Sequence, residues 1–360
     1  LRSHGNMKLA SDHQTYYQVA KDECNDIINS AQHALNPSFK NLWKNQVNAH
    51  AVADPQGELM FQASAIGGVA AEDTKLGYYN GPTVNNLGNK SINVLPTYFY
   101  AFDSTDQRRD VTCAVYNVAA DGTTKISQAI TAICDGKYRR DWITNPSFAP
   151  TNAIQYFGLK WQILRYSDVL LMFAEAENEL NGPTTAAYNA VNQVRRRGYG
   201  KAIGTVDATV DLPAGLNKTA FFDAIVKERS LELGGEGIRK FDLIRWNLLA
   251  SKIAATKTAL LAMSTLAAPY NTLPVSMYYR TGSTSDDNTY TGGLWANSFY
   301  KAAPGSAPAG TTRVVWLSAA INTTALSRYA TGFVTGKSEL LPLPQPARDA
   351  NLNLSQNPGY

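Results

Sequence analysis

Glu228 and Glu232, one helical turn apart, are the residues whose types and spacing could most directly do chemistry in this sequence. Two carboxylates facing each other across a sugar ring, roughly 5–9 Å apart, are the equipment of a glycosidase. Both lie in the densest charged cluster of the chain, Lys227-Glu228-Arg229-Ser230-Leu231-Glu232 with Glu236, Arg239, Asp242 and Arg245. Each acid there has an arginine beside it or within a turn, and close arginines lower carboxylate pKa values. That is the wrong direction for a general acid at neutral pH. The cluster therefore reads as ion pairs bracing packed helices. Arg165, Glu175, Glu177, Arg195 and Arg197 read the same way.

Other catalytic arrangements find little material. The four histidines, His4, His13, His33 and His50, crowd near the start, and none has the spacing of a zinc motif. No Gly-x-Ser-x-Gly elbow is present. Gly332-Phe333-Val334-Thr335-Gly336-Lys337-Ser338 is one residue short of a phosphate loop and lacks a strand–loop–helix context. Three cysteines do not make a disulfide framework. Cys24 falls on the apolar side of a predicted helix, and whether Cys113 and Cys134 pair stays open. No catalytic residue, cofactor or metal is expected, and nothing supports a calcium site.

The aromatic residues are the remaining candidates. A flat ring face stacks on the C–H face of a sugar while nearby amides bond its hydroxyls, and Tyr and Trp join a rigid apolar body to a polar handle. Gly77-Tyr78-Tyr79-Asn80-Gly81-Pro82 holds paired rings and an amide in a Gly/Pro loop. Tyr98-Phe99-Tyr100 follows, and Trp295 sits near Asn297 in a Gly-rich stretch. Tyr78, Tyr79, Asn80, Tyr98 and Trp295 are therefore the expected ligand-binding residues. The alternative for each ring is that it packs into the scaffold. Trp43 and Trp161 lie in helical patterns and read as core.

These residues need a frame, and the composition allows one. The chain has 360 residues, 44% hydrophobic and 17% charged, with net charge +4. That excludes intrinsic disorder and the dense basic stripe of a nucleic-acid binder. No apolar run reaches the ~18–20 residues that span a bilayer. Leu1-Arg2-Ser3-His4-Gly5 is not a signal peptide.

Apolar spacing predicts a helix over 14–34, a second after Pro37 capped by Ser38, and a strand over 59–63. Residues 64–150 lose periodicity and read as a loop-rich ligand side with short β pieces such as 111–118. Over 161–260 the pattern predicts helix hairpins. One helix spans 161–180 and stops at Asn181-Gly182-Pro183, and its partner spans 184–197. Phe221, Phe222, Ile225, Val226 and Leu233 line the next, Gly234-Gly235-Glu236-Gly237 breaks it, and Phe241, Ile244, Leu248, Leu249 and Ile253 line a single helix after it. Residues 265–360 are loop-rich again, with Tyr290, Trp295, Tyr300 and Trp316. Pro342, Pro344 and Pro346 predict an extended tail, and Asn357-Pro358-Gly359-Tyr360 a type II turn.

Several of these segments together resemble the SusD/RagB family, surface nutrient-binding lipoproteins of Bacteroidetes. They are Trp161-Gln-Ile-Leu-Arg165-Tyr-Ser-Asp168 through Glu175, Glu177 and Asn181-Gly182; Ala187 through Arg197; Glu228 through Trp246; and Leu341-Pro-Leu-Pro344 with Gln356-Asn357-Pro358-Gly359-Tyr360. The resemblance implies a mainly α fold, in which tetratricopeptide-like helix hairpins scaffold a loop-rich region with short strands. It implies a single domain over 1–360 lacking its N-terminal portion. It also implies a non-enzymatic role at the outer face of the outer membrane. Such a protein captures oligosaccharide, or in some branches peptide, and passes it to a SusC-like TonB-dependent transporter. Membrane attachment is then expected only through a lipid anchor on the absent N-terminal portion. A glycoside hydrolase is the weaker alternative.

Overall fold

A computed structural model describes residues 2–3, 6–7, 11–49, 53–68, 72–144, 151, 153–288 and 292–360. His4, His50 and Tyr290 lie outside the described residues.

The helical frame follows the apolar spacing. Helices α1 (His13–Asn29), α2 (Tyr166–Asn181), α3 (Thr185–Gly198) and α4 (Lys218–Glu232) pack around Val169, Leu170, Phe173, Val191, Val194 and Ile225. Cys24 of α1 joins this core, as its position in the pattern predicts. Caps set the starts: Thr184 Oγ1 accepts from the Ala187 amide, and Asn217 Oδ1 from the Ala220 amide. Gly182, at φ +80°, turns the chain out of α2. Burying one face of each helix against the others is what makes this frame stable.

Four elements differ from the predicted ones. α1 stops at Asn29, and Ala31 at φ +54° turns the chain. Residues 161–165 are not the start of α2 but a strand. There β1 (Leu59–Ala63) and β2 (Trp161–Arg165) pair antiparallel, so a partner about a hundred residues upstream overrides local helical spacing. The single helix expected after Gly237 is two, α5 (Arg239–Arg245) and α6 (Leu249–Thr265), broken at Asn247 with φ +57°. Phe241 faces solvent, 67% exposed, while Asp242 and Leu243 take the buried positions of α5. Finally, the proline-rich tail contains a helix, Gln345–Ala350. Pro346 sits in its first turn, where a missing amide hydrogen costs nothing.

Other expectations hold. Ser38 caps Phe39–Asn41, accepting from the Asn41 amide at 3.2 Å, and the helix continues in π-helical winding over Leu42–Asn48. The C-terminal turn closes from the Tyr360 amide to the Asn357 carbonyl, with Gly359 at φ +85°. Residues 332–338 form successive turns without a phosphate-loop shape.

The loop-rich part has its own core. β3 (Ser276–Arg280) and β4 (Thr311–Val315) form an antiparallel pair over Phe99, Met277, Phe299 and Trp316. All three cysteines are free and buried. Burial pushes the Cys134 thiol up to about 12, so little thiolate forms at neutral pH.

Candidate functional site

The charged cluster is interior. Glu228 and Glu232 are both 0% exposed. Glu228 receives Arg108 Nη1 at 2.5 Å and Arg195 Nη1 at 2.8 Å. Glu232 receives Arg197 Nη2 at 2.5 Å and Arg165 Nη1 at 3.0 Å. Glu236 binds Arg165 and Lys137, and Glu58 of the loop before β1 binds Arg165 and Arg197. Arg229 joins Asp168 to Asp242. Burial alone would raise the Glu232 carboxyl, but Arg197, Arg165, Arg108 and Lys137 outweigh it and hold it well below the ordinary range. Sealed from solvent and each held by arginines, Glu228 and Glu232 have no path to substrate and do not form an acid–base pair.

The ion-pair reading stands, with one correction. The partners of Glu228 and Glu232 come from the 106–108 turn, β2 and α3, not from neighbours on α4. Asp242 and Arg245 form the pair at i, i+3 that the spacing anticipates. Tertiary packing, not helical register, matches the charges.

The aromatic loop is at the surface. Tyr78 and Tyr79 stand edge-to-face with centroids 5.1 Å apart, and Tyr79 is 39% exposed while Tyr78 is half-buried. Their amides both donate to the Lys75 carbonyl, which folds residues 75–79 into a turn. Gly81 must be glycine. Its φ is +76°, and a Cβ there would overlap the carbonyl of Tyr138. Asn80 is buried, and its amide nitrogen donates to Asp135 Oδ2 at 2.8 Å. It anchors the turn to the scaffold, which corrects its expected place as a hydroxyl partner on the ligand surface.

Asp135 is the joint between this loop and a cleft of about 440 Å³. The cleft lies between residues 92–101, the Gly234-Gly235 turn, α5 and α6. Tyr98, Thr112, Asp135, Arg239, Ile253 and Tyr329 are among its walls. Burial pushes the Asp135 carboxyl up, while the Lys137 amide and Asn80 pull it down. The Thr112 hydroxyl is buried with no hydrogen-bond partner among the described residues. Tyr98 lines the cleft, but its hydroxyl is committed to the Ser230 carbonyl at 2.7 Å.

Trp295 is elsewhere. It is 0% exposed and packs edge-on against Phe299 and Trp316. It is a core residue, a correction to its expected place on a binding surface. Its partners lie at 277, 299 and 316, so the Gly-rich local sequence gave no sign of the aromatic cluster. The structure thus brings Tyr78, Tyr79 and Asn80 together, joins them to Tyr98 through Asp135 and the cleft wall, and removes Trp295. Sequence reading missed Asp135, Thr112 and Lys75. Lys75 alone carried a local signal, standing three residues before the paired tyrosines.

Comparison with known proteins adds the following. Residues 101–360 match the sequence model of the SusD family. SusD-like protein P25 of Formosa agariphila is 37% identical over 116 residues, 32% of this chain and 21% of that protein. SusD-like protein P38 of the same organism is 36% identical over 133 residues, 36% of this chain and 23% of its own length. The crystal structure of a SusD homolog from Bacteroides thetaiotaomicron superposes with TM-score 0.69 at 26% identity, covering 96% of this chain and 60% of that one. Surface glycan-binding protein A from B. thetaiotaomicron in complex with laminarihexaose shares the fold, with TM-score 0.53 at 18% identity, over 96% of this chain and 60% of that one. The chain therefore spans less than two thirds of each of these proteins.

Proposed function

The chain belongs to the SusD family, and from that premise we propose that it captures oligosaccharide without catalysis at the outer face of the outer membrane and hands it to a SusC-like TonB-dependent transporter. The observation that carries the reading at the level of residues is the Tyr78–Tyr79 pair. It is a rigid, partly exposed pair of rings on a turn fixed by Gly81 and by the Asn80–Asp135 bond. Exposed ring faces held rigid recognise sugar C–H faces at little entropic cost. A glycan-bound neighbour with the same fold supports the ligand class. The scaffold's carboxylates are consumed by arginines, which leaves recognition to the loops.

Calorimetric titration of the protein with an oligosaccharide panel tests this. Binding to at least one neutral or acidic oligosaccharide, lost when Tyr78 and Tyr79 are both replaced by alanine, is the expected result. Unchanged affinity in that double variant removes the site assignment.

The cleft favours a second reading, in which the same fold takes a peptide. It is apolar-walled and holds the Thr112 hydroxyl, which has no partner among the described residues. A glycan array run beside a peptide panel separates the two.

A further inference from the structure

The Tyr78–Tyr79 turn carries positive charge that the acids around it do not neutralise. Lys75 Nζ lies 5.9 Å from the Tyr79 ring centroid and 5.3 Å from that of Tyr156. The ammonium therefore sits beside two ring faces, and its own carbonyl ties it to the turn. Residues 89–91 run alongside: the Asn89 amide donates to the Tyr78 carbonyl and the Ser91 amide to that of Tyr79. This places Lys90 in the adjoining segment, its ammonium donating to Gln128 Oε1 at 2.8 Å. Among the described residues neither lysine has a carboxylate partner.

The nearby acids are otherwise engaged or set apart. Asp73 accepts the amides of Thr74 and Gly158. Asp135 is buried under Asn80. Glu72 is exposed at the entrance of the loop, three residues before Lys75. A sugar stacked on Tyr79 would have the Lys75 ammonium at its edge, where a carboxylate or a sulfate ester projects from the ring.

We propose that this turn selects acidic oligosaccharides, sugars bearing carboxylate or sulfate ester groups, with Lys75 as the specificity-determining contact. The proposal rests on the reading of Tyr79 as a sugar platform. A charge-assisted hydrogen bond from one partly exposed ammonium is worth roughly tenfold in affinity, and added salt weakens it.

The test uses matched neutral, uronate and sulfate-ester forms of the same glucan, galactan and mannan oligosaccharides, titrated into the full chain. On a backbone that binds, an acidic form should bind roughly tenfold tighter than its neutral counterpart. The uronate and sulfate arms show which anion is preferred. The preference, read as the ratio of acidic to neutral affinity, should shrink in high salt, vanish in Lys75→Gln and persist in Lys75→Arg. Equal affinity for neutral and acidic forms overturns the proposal while leaving the sugar platform intact. So does a preference that survives Lys75→Gln. Failure of every oligosaccharide to bind overturns the platform reading itself, and the proposal with it.

Discussion

Arg165 and Glu236 meet in a two-pronged contact: Arg165 Nε and Nη2 each donate to a different carboxylate oxygen of Glu236, both at 2.7 Å. Both side chains are buried. The remaining nitrogen, Nη1, donates to Glu58 at 2.9 Å and Glu232 at 3.0 Å. One guanidinium thus ties the β1–β2 pair to the end of α4 and the glycine turn beyond it. Only a planar fork can serve three carboxylates in this way.

Breaking this contact should be costly. Glu236→Gln leaves Arg165 and Lys137 short of a buried countercharge, a loss of about 3–5 kcal/mol. Arg165→Lys should also destabilise, because an ammonium cannot reproduce the fork. Urea unfolding midpoints for both variants check this. A midpoint equal to that of the parent chain would show that the contact does not brace the frame.

Acid should loosen the same lattice. The carboxyls of Glu232 and Glu236 are held below their ordinary value of 4.5 in the folded chain, burial being outweighed by arginine and lysine. Their contribution is therefore complete above about pH 4.5 and drains away as pH falls through the folded values. Asp106 and Asp135, raised by burial, act in the opposite sense and favour the folded state more at low pH. The urea midpoint should drop as pH falls below about 4.5, and Glu232→Gln should flatten that drop. A parallel drop in the variant contradicts the assignment.

Trp295 and Tyr79 should separate stability from binding. Trp295→Ala empties a sealed position among aromatic rings and should cost about 3–5 kcal/mol. Trp295→Phe should cost less, because it removes an indole N–H that has no partner among the described residues. Tyr79→Ala should leave the unfolding midpoint nearly unchanged and weaken oligosaccharide binding roughly tenfold. The reverse pattern would place the binding surface elsewhere.

Gly81→Ala should disturb the turn through its backbone. The new methyl would strike the Tyr138 carbonyl, and φ +76° is strained for alanine. A loss of about 1–3 kcal/mol is expected, together with weaker binding, since Tyr78 and Tyr79 ride on that turn. Gly215→Ala, where a Cβ meets nothing within 4 Å, has its own φ of +81° and serves as the control for strain without collision.

The frame was legible in the sequence because helical spacing, caps and stops are local: Leu170, Val191 and Ile225 announce their faces, Ser38 a helix start and Gly182 a helix end. The kinship with SusD proteins was legible for the same reason, since Arg165, Glu228 and Arg239 stand in one ordered run of motifs. Contacts between distant segments were not legible. Trp161–Arg165 reads as helix until Leu59–Ala63 pairs with it. Arg108, opening the short helix Arg108–Thr112, gives no sign that it ends against Glu228. Asn80 and Trp295 look like surface residues because Asp135 and Trp316, which claim their neighbourhoods, are far along the chain.

The reach of Arg108 and Lys137 into the helical interior has a further consequence. Each belongs to the loop-rich stretch, yet each spends its charge on α4 or the turn after it, at Glu228 and Glu236. Stripped of those two cations, the hairpins would be left with surplus negative charge in their middle. Hairpins and loops are thereby coupled, and excising the irregular half should destabilise the helices that remain.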